Sequence, residues 1–232
     1  MDPPHRQLVD TSIPETCLAA GAQLGERDGR PIVALYGSVQ GEMAACMKSV
    51  GLADRSDLGA LELRGATSLL DRALAARLGD PAPAPGTARR LSGVWYLRLD
   101  ARRALLVGRH AALASLGPIG RGRDAAELSQ SDISAGIAMI SVIGPRAARL
   151  LTAAELPGEP AIGSVGRDSR GADVLAILRE QQRRVLIVVR RPAADAFWGR
   201  LLEAGEKLGV AFVGLDAVSL LDASSAAIAD GI

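Results

Sequence analysis

Apolar residues along this chain recur with two different spacings, and the switches between them mark out its elements. In the stretch 131–151 (SDISAGIAMISVIGPRAARLL) a polar turn at Ser131, Asp132, Ser134 and Gly136 leads into Ile137, Met139, Ile140, Val142 and Ile143. Gly144-Pro145 ends that run, and Ala147, Leu150, Leu151 and Ala154 follow at helical spacing. The pattern predicts turn, strand, tight turn and helix, with proline at the first helical position, where its missing N–H costs nothing. A weaker copy stands upstream at 54–66 (DRSDLGALELRGA). Both copies carry Asp-x-Ser, an apolar strand and a glycine before a helix; the later one needs one extra residue for both ends to align. A unit that recurs with similar elements after it predicts a duplicated half-domain.

The remaining elements follow from the same alternation. Residues 1–30 are rich in Pro and Gly and predict an irregular segment with a short helix around Glu15–Leu24. Ile32–Tyr36 predicts a strand ended by Gly37-Ser38, and Gln40–Val50 a helix with Gly51 as its C-cap. Leu61 and Leu63 alternate with Glu62 and Arg64 as in a half-buried strand, and Ala66 to Leu78 carries a helical stripe. DPAPAPG at 80–86 cannot continue a helix. Val94–Leu99 and Ala104–Val107 predict a hairpin turning at Asp100–Arg103, followed by a short helix at Arg109–Leu116. GPIGRGR at 117–123 has the composition of a solvated linker rather than a phosphate loop, because no strand feeds it. In the second half, Val174–Leu178 and Val185–Val189 predict a hairpin, and a helix opens at Pro192 with Gly209 after its end. Val210–Val213 and Val218–Leu221 close the ordered chain, and SSAAIADGI reads as a frayed tail. The divisions expected are 1–30, a first half at 31–117, a linker at 118–127, a second half at 128–222 and a tail at 223–232. Strand, helix, hairpin, helix in each half predicts an α+β fold, with helices on mostly antiparallel sheet.

Composition removes several function classes. Lys+Arg 27 against Asp+Glu 26 gives a net charge of +1, so no basic excess points to nucleic acid. No apolar run approaches the ~20 residues that span a bilayer, and the N-terminus has no signal-peptide core, so the expected location is the cytoplasm. Two cysteines, with no CxxC, and two histidines, His5 and His110, are too few for a disulfide framework, a zinc cluster or a histidine-rich metal site. Aromatic residues at 3% weaken any base-stacking role.

Short motifs in a fixed order carry a family resemblance. The first half contains Gly21-Ala22, Tyr36-Gly37-Ser38, Glu42 and Gly51-Leu52-Ala53-Asp54-Arg55-Ser56. The second contains Asp132-x-Ser134, Gly144-Pro145-x-Ala147 and Leu150-Leu151, then Trp198, Leu201-Leu202, Ala204-Gly205 and Gly214-Leu215-x-Ala217. This series resembles the folate-binding domain of the glycine-cleavage T protein (aminomethyltransferase) family over about residues 20–222. In length and in its missing motifs the chain is similar to the gamma subunit of heterotetrameric sarcosine oxidase. The resemblance implies duplicated ferredoxin-like halves forming an aminomethyltransferase-type folate-binding domain, without the C-terminal barrel.

The departures bear on chemistry. Where the family carries an Asp pair before the strand at Val94, this chain has Arg89-Arg90-Leu91-Ser92-Gly93. Asp100 lies after that strand and reads as a hairpin-turn residue. The glutamate that holds the pterin in the family falls near Gln181-Gln182-Arg183-Arg184, where Gln182 keeps an amide without the charge, and the closing arginine is replaced by Val218. An acid or base must reach the reacting atom, so these losses together argue against aminomethyl transfer. The resemblance therefore implies a noncatalytic accessory subunit of a multisubunit amine (sarcosine-type) oxidase or related one-carbon complex. Its partners are then the other subunits, with no nucleic acid and no membrane. The second reading is a stand-alone tetrahydrofolate-binding protein or small aminomethyltransferase-like enzyme. It names tetrahydrofolate as the one candidate cofactor, in a pocket between the halves contacted by Tyr36, Asp54, Ser56, Tyr96 and Gln182, with Glu42 nearby. An accessory subunit predicts an exposed apolar face, for which Met43, Met47, Trp95 and Trp198 are candidates, against core packing as the plainer role.

Overall fold

A computed structural model of the chain describes residues 13–79, 81–119, 127–158, 161–166 and 173–229. The first twelve residues of the N-terminal segment, the centre of the linker with its GRGR motif, and parts of the loop at 157–170 lie outside the described residues.

The predicted repeat is present as a repeat of topology. In the first half, β4 (Leu58–Arg64), α3 (Thr67–Leu78), β5 (Thr87–Leu91), β6 (Val94–Arg98), β7 (Arg103–Arg109), α4 (His110–Ala114) and β8 (Ser129–Asp132) follow in sequence. The second half repeats the series as β9 (Ile137–Ile143), α5 (Ala147–Ala153), β10 (Val165–Gly166), β11 (Val174–Gln181), β12 (Arg184–Arg190), α6 (Ala194–Gly205) and β13 (Val210–Phe212). One sheet runs in the order β5-β6-β7-β4-β8 and the other begins β10-β11-β12-β9 in the same sense. Leaving out the edge strands β5 and β10, each half is a β-α-β-β-α-β unit of the ferredoxin-like kind.

The second sheet contains one strand from outside its own half. β3 (Val50–Asp54) lies antiparallel to β9 and parallel to β13, wedged between them. The chain crosses from that sheet to the other through residues 55–57, and crosses back through 133–136. The two crossovers match: the Ser56 N–H donates to Asp54 Oδ2 at 3.1 Å, and the Ser134 N–H to Asp132 Oδ1 at 2.8 Å. Likewise the Arg55 N–H reaches the Met139 carbonyl at 2.9 Å and the Ile133 N–H reaches Ala60 at 3.0 Å, the third residue of β9 and of β4 respectively. The two Asp-x-Ser motifs are thus the hinges by which the halves exchange sheets, a role set by the aspartate's ability to bond the backbone two residues on.

The sheets pack face to face. Ala60, Leu97, Leu105 and Val107 of one meet Met139, Ala176, Leu178, Leu186 and Val188 of the other. On the outer face of the first sheet α3 buries Leu69, Leu70, Ala73 and Leu74; on that of the second, α5 and α6 bury Leu150, Leu151, Phe197, Trp198 and Leu201. This double coverage explains why β9 is buried at every position and reads as one apolar run. Near the edges the sheets also touch directly, Thr87 pairing with Ser164.

Four predictions of local structure need correction, and one strand, at 87–91, adds to the expected set. Gly51 does not cap α2 (Val39–Lys48); it sits within β3, where a Cβ would come within 2.5 Å of Cys46 Sγ and 2.6 Å of Val213 Cγ2. The helix expected to reach Leu24 ends at Ala19, and residues 23–27, expected as its end and the irregular chain after it, form β1 (Gln23–Arg27), which pairs with β2 (Arg30–Leu35) through the turn Asp28-Gly29, where φ is 52° and 74°. Residues 87–91 form the edge strand β5, and Ser129–Asp132, expected as a turn, form β8, whose four residues are all exposed. Polar edge strands carry no alternation for a pattern to detect. Val218–Leu221 and the expected tail belong to a helix, α7 (Leu215–Ala229). No described helix is long and apolar enough to cross a membrane.

Candidate functional site

The predicted contact residues are dispersed. Glu42 is buried in α2 and accepts three backbone N–H groups, from Tyr36 at 2.7 Å, Gly37 at 3.1 Å and Gly214 at 2.7 Å. It is a clasp between the end of β2 and the start of α7. Tyr36 packs its ring on Phe212 at 5.1 Å and sets its hydroxyl beside Cys17, where burial pushes the phenol upward and the thiol up to about 12. Tyr96 is 1% exposed, its ring turned toward α3, with its hydroxyl 3.4 Å from Arg77 Nε. Gln182 sits at the β11–β12 turn beside a recess of about 210 Å³, with Pro145 and Arg183. Of the five, Asp54 and Ser56 share a cavity.

That cavity, of about 160 Å³, lies at the crossovers and also receives His110, Ser134 and Arg191. Asp54 is 2% exposed, and burial raises its carboxyl to about 6; Ser56, whose hydroxyl lies close and whose N–H bonds it, holds it from rising further, Asp57 adds to the rise and Arg191 opposes it. Burial and Arg30 pull His110 below its ordinary value. Its ring stands against Gly59, where a Cβ would come within 2.7 Å.

A larger cavity, of about 630 Å³, opens between the two sheets. The first sheet lines it with Arg90, Trp95 and Arg109, the second with Glu180, Gln181 and Arg184, and α7 with Leu215, Val218, Ser219 and Asp222. Arg27 of β1, Arg55 and Asp57 of the first crossover and Leu58 of β4 complete one wall. Arg55 Nε meets Asp57 Oδ1 at 2.8 Å and its Nη2 meets Oδ2 at 3.1 Å, a two-point pair. Burial opposes the Arg55 charge, but Asp57 overcomes that opposition and holds the guanidinium above its ordinary range. Arg184 pairs with Asp222. The Trp95 indole N–H donates to Glu180 Oε1 at 3.1 Å, joining the sheets, and the Arg90 guanidinium lies 5.8 Å from the Trp95 ring centre. No carboxylate stands at the β5–β6 turn, where Ser92 and Gly93 both have positive φ. Asp100 accepts the Arg102 N–H at 2.8 Å within the β6–β7 turn.

Sequence reasoning did not place Trp95, Glu180 or Arg184 at this cavity, Trp95 being named there only as a candidate for an exposed face. Trp95 and Tyr96 are neighbours on one strand, so they face opposite sides, and the choice of Tyr96 took the helix side. Of the four candidates for an exposed face, Trp198 is fully buried and stacks on Phe212 at 5.5 Å, Met43 is half-buried, Trp95 lines the cavity, and Met47 is 64% exposed.

Two ferredoxin-like halves, packed sheet to sheet around a polar cavity and tied by exchanged crossovers, define the fold class. It is the fold of the glycine cleavage system aminomethyltransferase T from Bartonella henselae, with a TM-score of 0.69 and 23% identity over 88% of this chain. The chain spans 58% of that protein's length. A chain of the heterotetrameric sarcosine oxidase from Corynebacterium sp. U-96 has the same fold, with a TM-score of 0.58 and 23% identity over 75% of this chain and 93% of its own. No protein-family model and no curated protein sequence matches.

Proposed function

We propose that the chain is a noncatalytic accessory subunit of a multisubunit amine (sarcosine-type) oxidase or a related one-carbon complex, acting in the cytoplasm. The observation that carries this reading is the match to 93% of one chain of a heterotetrameric oxidase. The acid-free β5–β6 turn supports it, since the position where the resemblance implies a proton-transferring acid holds Ser92 and Gly93 instead. Purification of the native assembly from its own cells tests it. Stoichiometric amine-oxidising chains are the expected companions, and the purified chain alone is expected to transfer no aminomethyl group to tetrahydrofolate. Turnover by the pure chain that disappears in Asp100→Asn would overturn the reading.

The second reading, a stand-alone tetrahydrofolate-binding protein or aminomethyltransferase-like enzyme, draws on the cavity between the sheets, whose size suits a ligand of that kind. Its contacts would then include Trp95, Glu180 and Arg184 rather than Tyr36, Tyr96 and Gln182, with Asp54 and Ser56 in the neighbouring cavity that shares Arg55 and Leu58. A melting curve with 5-formyltetrahydrofolate decides: a rise that saturates at micromolar ligand favours this reading, and no rise disfavours it.

A further inference from the structure

We propose that the cavity between the sheets binds a small amphoteric anion of the amino-dicarboxylate class, its ammonium on Glu180 and its carboxylates on Arg184 and the surrounding arginines. The first support is a bulge in the β11–β12 ladder. Arg179 pairs with Val185 and Gln181 with Arg184, and the register slips between Arg179 and Gln181. Glu180 and Gln181 therefore both line the cavity, although consecutive residues of a regular strand face opposite ways.

The second support is what those side chains leave unmet. Glu180 Oε1 is held by the Trp95 indole, while Oε2 is buried with no hydrogen-bond partner in the protein. Arg184 is 7% exposed; its Nη1 meets Asp222, and its Nε–H is likewise buried and without a partner. A buried acceptor and a buried donor left open are costly unless a bound group completes them. An ammonium completes the first and a carboxylate the second, both as charge-assisted bonds.

The third support is the sign of the lining, which holds five arginines against Asp57, Glu180 and Asp222. Arg55 and Arg27 share Asp57 and Arg184 pairs with Asp222, so with Glu180 three carboxylates answer five arginines. Even with Asp28 placed 3.5 Å from Arg109, the cavity keeps a positive excess. A neutral zwitterion would leave that excess unanswered, and a plain dicarboxylate would leave Glu180 Oε2 open. This inference stands on the cavity alone and does not depend on the chain's partners.

Titration calorimetry of the full chain with L-glutamate and with glutarate, which lacks only the ammonium, tests the assignment. The expected result is saturable binding of glutamate, about tenfold or more tighter than glutarate, the ratio one charged hydrogen bond supplies. Glu180→Gln keeps an oxygen for the Trp95 indole and should bring glutamate down to the level of glutarate. Should that variant not fold, Trp95→Phe removes the N–H that orients Glu180 and should shrink the same preference. No saturable glutamate binding, equal affinity for the two ligands, or a preference that survives in the folded variants would overturn the proposal.

Discussion

Replacing Asp54 by asparagine should make the protein more stable at neutral pH and leave it nearly unchanged in acid. Burial raises this carboxyl from its ordinary 3.8 to about 6 in the folded state. The protonated form is therefore the one the fold prefers. The stability it contributes is fully present below 3.8 and is lost as the pH rises through 6. A separation of that size corresponds to about 3 kcal/mol between the two ends of the window. Asparagine keeps an oxygen for the Ser56 N–H, so the crossover turn survives, and it has no charge to bury. His110, Arg30 and Arg191 also face this cavity, and the opposition of Arg191 is already contained in that shift. Asp132 and Glu62 both have carboxyls held below the ordinary range, so they lose stability as the pH falls. Because they are present in both proteins, their effect cancels in the difference. Urea unfolding of the two proteins in steps between about pH 4 and 8 measures that difference directly. It should climb between about pH 4 and 6 in favour of the variant and level off above that. A difference that stays flat, or one that favours the wild type increasingly as pH rises, would show that Asp54 is not a buried charge carried at a cost.

Three further substitutions probe the frame. Gly144→Ala places a side chain at φ 134° with its Cβ 2.7 Å from the Cys46 carbonyl, so a loss above about 2 kcal/mol is expected on thermal unfolding; a neutral result would mean that the approach of α2 to the second sheet is loose. Leu97→Ala opens a hole between the two sheets and should cost about 2–5 kcal/mol in urea; a cost below that range would place Leu97 outside the shared core. Glu42→Ala strands three backbone N–H groups between the end of β2 and α7. Faster hydrogen exchange confined to those segments is expected, and unchanged exchange would refute the clasp.

The elements legible in advance were those whose side chains vary with depth. The run at 137–143 matches β9 residue for residue, and the stripe of 66–78 matches α3 to within one residue. Thr87–Leu91 and Ser129–Asp132 escaped because each is an edge strand held by its backbone, with polar side chains that a turn would also use. The site was harder to read for a different reason. Asp-x-Ser was visible as a pair, but its role depends on two segments about eighty residues apart meeting at the crossovers. Glu180 could not be assigned to a face from alternation, since a slipped register reverses the count at that residue. Trp95 carried a clear signal in its neighbour Tyr96: one of the two had to face away from the helices.

The position of β3 has a consequence for how the chain reaches its final form. As the polypeptide leaves the ribosome, Val50–Asp54 emerges long before β9 and β13, the strands that will flank it. The first sheet can close once Asp132 is out, whereas the second must wait for Phe212 and then admit a segment made some ninety residues earlier than its neighbour β9. Such sequence-distant pairing slows folding and ties both sheets into one cooperative unit. A break in the chain near residue 119 would accordingly yield two fragments that aggregate when alone and recover a native-like fold only when mixed, the early fragment donating β3 to the second sheet and the late one β8 to the first.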